Sequence, residues 1–227
     1  MNETVIYAGL ILCSILPLTA CGEDGTSGDG TDGMGIAAGM YVLQVPDSFW
    51  TEPPGIGSDI GVFVPEFLFD VSETTVTLGT AKEGVQDPCT PTQVVQATME
   101  DSQVVVGPID YQMHLVSEAN QAHVNTIIRD LTFTNVLPPV DDEGGRLSAA
   151  LDAREIYPLF HLVGPDAEAV CAALESFDTE CEPCPQDGER FCLTIVAVRL
   201  EAAAAPEIEM GPVDGASLGA ECADVIP

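Results

Sequence analysis

The segment from residue 39 to 227 predicts a mainly β fold: an antiparallel sandwich or barrel with one short helix and a disulfide-rich C-terminal module. Three observations lead there. Nine short runs rich in Val, Ile, Thr and aromatics are punctuated by Pro and Gly clusters, the pattern of many strands joined by tight turns. One stretch alone carries the apolar period of a helix. Four cysteines crowd into the 22 residues CAALESFDTECEPCPQDGERFC, a local staple rather than a dispersed set.

Taken from the start, the chain opens on an apolar run, Val5 to Leu18, shorter than the roughly 18 residues of a membrane span. Small residues, Thr19 and Ala20, stand directly before Cys21, as at an export cleavage site. The tetrapeptide Leu18-Thr19-Ala20-Cys21 resembles the lipobox of bacterial lipoproteins. That resemblance implies that residues 1–20 are a signal peptide removed by the type II signal peptidase. It implies as well that Cys21 becomes the acylated N-terminus. Several acyl chains hold a protein stably on a membrane where one holds it marginally. Gly22, in place of an acidic residue, implies the outer membrane in bacteria that have two. The expected location is therefore the cell envelope, lipid-anchored, with the body outside the cytoplasm.

Residues 21–38 read as the lipidated cysteine and a tether. GEDGTSGDGTDGMG, from Gly22 to Gly35, is built of residues that bury no core and behave as coil, with a reach of about 20 Å. Its Asp24, Asp29 and Asp32 lack the first, third and fifth spacing of a calcium loop. The ectodomain is expected to be one unit over 39–227, with its Cys-rich part at 165–227.

Charge narrows the partners. Against 37 acidic side chains stand 6 basic ones, Lys82, Arg129, Arg146, Arg154, Arg190 and Arg199, for a net charge of −31. Such a field repels nucleic acid and anionic head groups. With 46% hydrophobic residues the chain still folds, so the charge forms an acidic shell. Salty surroundings, surface calcium and a cationic partner are the three sources such a shell has. No cofactor is expected, calcium being the one ion the composition leaves open.

Strands are expected at Met40–Val45, Ile60–Val64, Thr74–Gly79, Gln93–Thr98, Gln103–Val106, Ile109–Val116, Asn125–Val136, Arg146–Asp152 and Phe191–Glu201. Alternation is clearest where Leu147, Ala149 and Leu151 share one side, and where Ile127, Leu131 and Phe133 oppose Arg129 and Asn135. The helix follows Asp166, a capping residue, and sets Val170, Leu174 and Phe177 on one side beside Cys171. The tail from Ala202 to Pro227 is rich in Ala, Gly and Pro, and Cys222 alone suggests that it is tied down.

Once Cys13 leaves with the signal and Cys21 is lipidated, Cys89, Cys171, Cys181, Cys184, Cys192 and Cys222 remain. An even set in an oxidising compartment predicts three disulfides, whose pairing sequence leaves open. A two-residue loop at Asp187-Gly188 sets Cys184 opposite Phe191, whereas a three-residue loop, Asp187 to Glu189, sets it opposite Cys192. The choice stands between Cys184–Cys192 and a bond from the helix at Cys171. Zinc on Cys171, Cys181, Cys184 and Cys192 is disfavoured, since one C-x-x-C pair lacks its second. Cys181-Glu182-Pro183-Cys184 lacks the strand that precedes a redox motif. The spacing C-x-x-C-P-x-D-G-x-x-x-C-L from Cys181 to Leu193 resembles a module of uncharacterised envelope lipoproteins of Gram-negative bacteria, and that implies no activity.

Enzyme motifs are missing. GIGSDIG places Ile56 and Ile60 where a nucleophile elbow around Ser58 needs glycines, and it falls one residue off a dinucleotide fingerprint. His114, His123 and His161 lie in separate segments, and His114 with Glu118 would chelate a metal only from a helix where a strand is expected. The most site-like polar cluster is Asp152, Arg154 and Glu155 beside Tyr157, for which structural ion pairing is the simpler role. The expectation is a membrane-anchored envelope protein with no catalytic residues, a binding or structural module for an envelope protein, a glycan or an apolar ligand. A hydrolase with an unrecognised site and a calcium-stabilised surface protein are the alternatives.

Overall fold

Alternating apolar residues and frequent turns fold here as one curled sheet. The computed structural model describes residues 36–224, apart from 46–47, 56, 83, 101–102, 118–120, 139, 141–142 and 161–163. The signal segment, Cys21, the tether to residue 35, Glu118 and His161 lie outside the described residues. The chain divides into Met1–Thr31 and Asp32–Pro227, and all that follows belongs to the second unit.

The described strands are β1 (Gly39–Leu43), β2 (Phe49–Glu52), β3 (Glu66–Val71), β4 (Thr75–Lys82), β5 (Val85–Gln86), β6 (Gln93–Glu100), β7 (Gln103–Ser117), β8 (Ala122–Thr134), β9 (Gly145–Asp152), β10 (Glu182–Pro183), β11 (Arg190–Leu200) and β12 (Ala203–Ala204). They form an antiparallel half-barrel in the order β10-β11-β9-β8-β7-β6-β4-β3-β1-β12, with β2 added to β11 and β5 to β4. The mainly β, antiparallel class is as expected. The sheet ends on two-residue strands at both edges, which leaves little exposed ladder for edge-to-edge pairing.

Departures from the expected strands have local causes. Ile60–Val64 is not a strand: Gly57–Gly61 is a short helix, α1, and Ile60 and Val64, four apart, are buried together beyond its start. Gly57 and Gly61 of GIGSDIG serve packing, because a Cβ at either would run into Trp50. β3 reads poorly from sequence because Phe67, Leu68 and Phe69 are all buried, which abolishes alternation. The two strands expected at Gln103–Val106 and Ile109–Val116 are one, β7, bent at a cis Gly107–Pro108 peptide. Gly107 has φ +107°, and a Cβ there would strike the Leu131 carbonyl.

A bulge explains one mistaken face. In β8 the buried positions are Ala122, Val124, Thr126 and Ile128, then Leu131 and Phe133. The register shifts between Arg129 and Thr132, where Asp130 takes φ +52°, so the inward parity changes from even to odd. Ile127 therefore faces outward, against expectation. In β9, Leu147, Ala149 and Leu151 are buried together as expected.

The interior of the half-barrel is filled by side chains. Phe133 of β8 meets Phe67 and Phe69 of β3 edge-on, with ring centroids 4.9 and 5.1 Å apart, and Tyr111 of β7 stands 6.4 Å from Phe67. These contacts join strands far apart in the sheet order.

The expected helix is present as α3 (Ala167–Leu174), with the Asp166 carboxylate accepting from the Ala169 N–H at 2.9 Å. Val170 and Leu174 are buried, but Phe177 lies past the helix end and is exposed. A further short helix, α2 (Ala153–Ile156), follows β9.

The C-terminal segment is a strap over the outer face of the sheet, tied at many points besides Cys222. Its β12 pairs with β1, and the Ala205 N–H donates to the Met40 carbonyl at 2.9 Å. Gln86 exchanges two bonds with Gly211 at 2.8 and 2.7 Å. Thr92 and Val213 exchange two at 3.1 and 3.0 Å. Asn125 donates to the Cys222 carbonyl at 2.8 Å, and Asp224 accepts from the Asn125 backbone at 2.7 Å.

Candidate functional site around His114

Strand register opens a gap in the sheet. β6 pairs with only Thr75–Leu78 of β4 and only Gln103–Val106 of β7. Beyond that, Gly79–Lys82 and Ile109–Ser117 have no β6 residue between them, and the 87–92 segment fills the space. Asp87 organises this segment. Its carboxylate accepts from the Cys89 N–H at 2.8 Å and from the Thr90 hydroxyl at 3.4 Å, and Thr90 Oγ1 accepts in turn from the His114 N–H at 3.3 Å.

Beside this corner lies a cleft of about 310 Å³, lined by Val62, Phe63, Glu66, Lys82, Asp87 and His114 among others. His114 and Asn125 are opposite each other on β7 and β8, and His123 is diagonal to His114, with imidazole centroids 5.5 Å apart. The strap covers this outer face, so His114 is only 7% exposed although it points away from the barrel interior. The buried Nε2 of His114 and Nδ1 of His123 have no hydrogen-bond partner among the described residues, an uncommon state for buried polar atoms.

Burial pulls the His114 imidazole below its ordinary 6.5, and His123 and Lys82 add to this while Asp87 and Asp224 oppose it. The unfolded chain thus takes up a proton that the folded one resists. The stability His114 contributes is complete above about pH 6.5 and is lost as pH falls through its lower folded value. Melting midpoints measured from pH 7.5 downward should therefore fall below pH 6.5, and His114→Gln should flatten that part of the curve. An unchanged slope in the variant would show that the imidazole is not what titrates.

The cluster at Asp152, Arg154, Glu155 and Tyr157 does not converge. Arg154 is clasped by Asp152 at 2.6 Å and Asp187 at 2.7 Å and lies over the Phe191 ring at 5.1 Å. Both carboxylates favour its charged form. Asp187 is held below the usual carboxylate range first by the Glu189 N–H and then by Arg154. Buried Asp152 also accepts from Gln186 at 2.7 Å. Glu155 turns the other way, to Arg129 at 3.1 Å, the Thr126 hydroxyl at 2.7 Å and the Ile127 N–H at 2.8 Å. Both networks join strands to helix α2, the ion-pairing role expected of scarce arginines.

All six candidate cysteines are paired, as Cys89–Cys222, Cys171–Cys181 and Cys184–Cys192, with Cα separations of 5.1, 5.6 and 4.9 Å. Of the two open alternatives for Cys184, the bond to Cys192 forms, and the helix cysteine Cys171 pairs with Cys181 instead. Neither expected hairpin loop forms: the Cys184 N–H donates to the Glu189 carbonyl at 2.7 Å, so Pro185–Gly188 makes the turn, and a bulge between Glu182 and Pro183 brings Cys192 alongside Cys184. With these four sulfurs oxidised in pairs, they are not thiolates for zinc.

Two trios bring ligand atoms within 4.8 Å of one another: Asp87, Cys89 and His114, and Asp152, Cys184 and Cys192. Among the described residues no three carboxylates converge in this way. No described helix is long and apolar enough to cross a membrane, and Val5–Leu18 lies outside the described residues. Sequence reading passed over Asp87 and Thr90; their signal was the Asp-Pro-Cys-Thr-Pro turn, in which an Asp side chain caps the backbone two residues on.

Comparison with protein-family models, with curated proteins and with solved structures finds no match for this chain.

Proposed function

We propose that this is a lipid-anchored protein of the cell envelope, expected at the outer membrane, that works as a binding module through the His114 cleft. The carrying observation is the cleft itself. It sets the apolar wall of Val62 and Phe63 against Glu66, Asp87 and a buried imidazole, while the barrel interior is filled by Phe67, Phe69, Tyr111 and Phe133. An apolar wall with a few converging polar groups is the usual make-up of a small-molecule site. The net charge of −31, and Glu66 and Asp87 against the single cation Lys82 in the lining, favour an apolar ligand carrying a positive charge over its anionic counterpart. Calorimetric titration with hexylamine against hexanoate tests this. Saturable amine binding weakened by Glu66→Gln supports the cleft, and equal binding of both, or of neither, removes it.

The anchor rests on Leu18-Thr19-Ala20-Cys21 and gains support from three disulfides, which persist outside the reducing cytoplasm. Cys21→Ser should move the protein from the membrane fraction to the soluble one or leave it unprocessed. Unchanged processing and acyl labelling in the variant would remove the anchor. The hydrolase alternative gains no support, because in the Asp87, Cys89 and His114 trio the sulfur that would be the nucleophile is bonded to Cys222.

A further inference from the structure

We propose that reduction of the Cys89–Cys222 disulfide converts the corner beside the cleft into a site for one divalent cation of the zinc class, held by both thiolates, a ring nitrogen of His114 and the Asp87 carboxylate. The inference is independent of which ligand the cleft takes.

Geometry supplies the first reason. Ligand atoms of Asp87, Cys89 and His114 already lie within 4.8 Å of one another, and the Cys222 sulfur is one bond from that of Cys89. Tetrahedral zinc holds sulfur, nitrogen and oxygen at about 2.0 to 2.3 Å, which puts neighbouring ligand atoms roughly 3.3 to 3.8 Å apart. Small movements therefore suffice once the sulfur–sulfur bond is gone.

Chemistry supplies the second. A buried imidazole nitrogen on His114 is left without a hydrogen-bond partner among the described residues. Burial keeps that ring neutral, the form that ligates a metal. The other trio is a useful contrast: the Asp152 carboxylate there is already taken by Arg154 at 2.6 Å and Gln186 at 2.7 Å, so it has a cation and needs no second. Among the described residues Asp87 accepts from an N–H and a hydroxyl, and no described cation pairs with it.

The reaction balances with a dithiol as the reductant. The dithiol gives two electrons and two protons to the disulfide and is itself oxidised to a disulfide, leaving Cys89 and Cys222 as thiols. The cation then displaces both thiol protons. Since Cys89 lies between β5 and β6 and Cys222 near the end of the strap, the metal would keep the strap closed under reducing conditions as the disulfide does under oxidising ones.

The test uses the full-length protein in detergent, reduced with a phosphine, freed of reductant without air and titrated with cobalt(II). One equivalent should give the visible bands of tetrahedral cobalt with thiolate charge transfer, and zinc should displace it. Cys89→Ser with Cys222→Ser should abolish these bands, and Cys184→Ser with Cys192→Ser should keep them. His114→Gln should weaken binding by more than the roughly 10- to 100-fold that loss of an outer hydrogen-bond partner costs a metal site. Alkylation of the reduced wild-type protein needs no variant: stoichiometric zinc should shield Cys89 and Cys222 and leave Cys171, Cys181, Cys184 and Cys192 labelled. Absence of tetrahedral cobalt, bands that survive loss of Cys89 and Cys222, an unaltered His114→Gln titration, or zinc shielding of the other cysteines instead would each overturn the proposal.

Discussion

Replacing Cys89 and Cys222 together by Ser lowers the unfolding free energy of the oxidised protein by about 3 to 5 kcal/mol, the largest effect expected of any of the three disulfides. Sequence separation is the reason. This bond closes a loop across 133 residues, whereas Cys171–Cys181 and Cys184–Cys192 span 10 and 8. In the chain-entropy view a cross-link stabilises by restricting the unfolded chain, and longer loops lose more freedom. The loss should also loosen the strap, whose remaining ties to Gln86, Thr92 and Asn125 are hydrogen bonds at partly exposed positions. Denaturant midpoints of the double variant, set against Cys184→Ser with Cys192→Ser, decide it. A smaller loss for the long-range pair than for the local one would contradict the staple.

Truncation of Phe133 to Ala is expected to cost about 3 to 5 kcal/mol. Phe133 is fully buried and touches Phe67 and Phe69 from across the half-barrel, so its ring joins β8 to β3 where no backbone ladder does. Neighbouring strands held by ladders do little to close the space that the ring leaves. Ile127, only six residues away but 38% exposed on the outer face, should lose well under about 1.5 kcal/mol on the same truncation. Comparable losses at the two positions would contradict the bulge at Asp130 that separates their faces.

Much of the sheet is legible in the sequence, and the failures have physical causes. Period-two patterning in β9 survives because one face meets the core and the other is less covered, whereas in β11 it breaks at Ile195, Val196 and Ala197, which are all buried. It fails in β3, where Phe67, Leu68 and Phe69 are buried on both faces, and across Asp130, where one extra residue changes the parity. α1 is missed because five residues are too few to display a helical period, and Ile60 and Val64 then pass for a strand. The helix after Asp166 is found because its cap and its apolar side agree. The cleft is the least legible part. Asp87, Thr90 and His114 are brought together by where β6 begins and by the strap crossing the sheet, and neither is written in the local pattern of any one segment. Cysteine counting predicts three bonds, but only the bulge at Glu182 and the path of the strap select the pairs.

Mass mapping of unreduced peptides from protein extracted out of membranes tests the anchored, stapled molecule most directly. The expected result is an N-terminal peptide that begins at an acylated Cys21, together with linked peptides joining Cys89 to Cys222, Cys171 to Cys181 and Cys184 to Cys192. An unprocessed peptide beginning at Met1 with an unmodified Cys21 would contradict the anchor, and free thiols or other linkages among the six cysteines would contradict the staple.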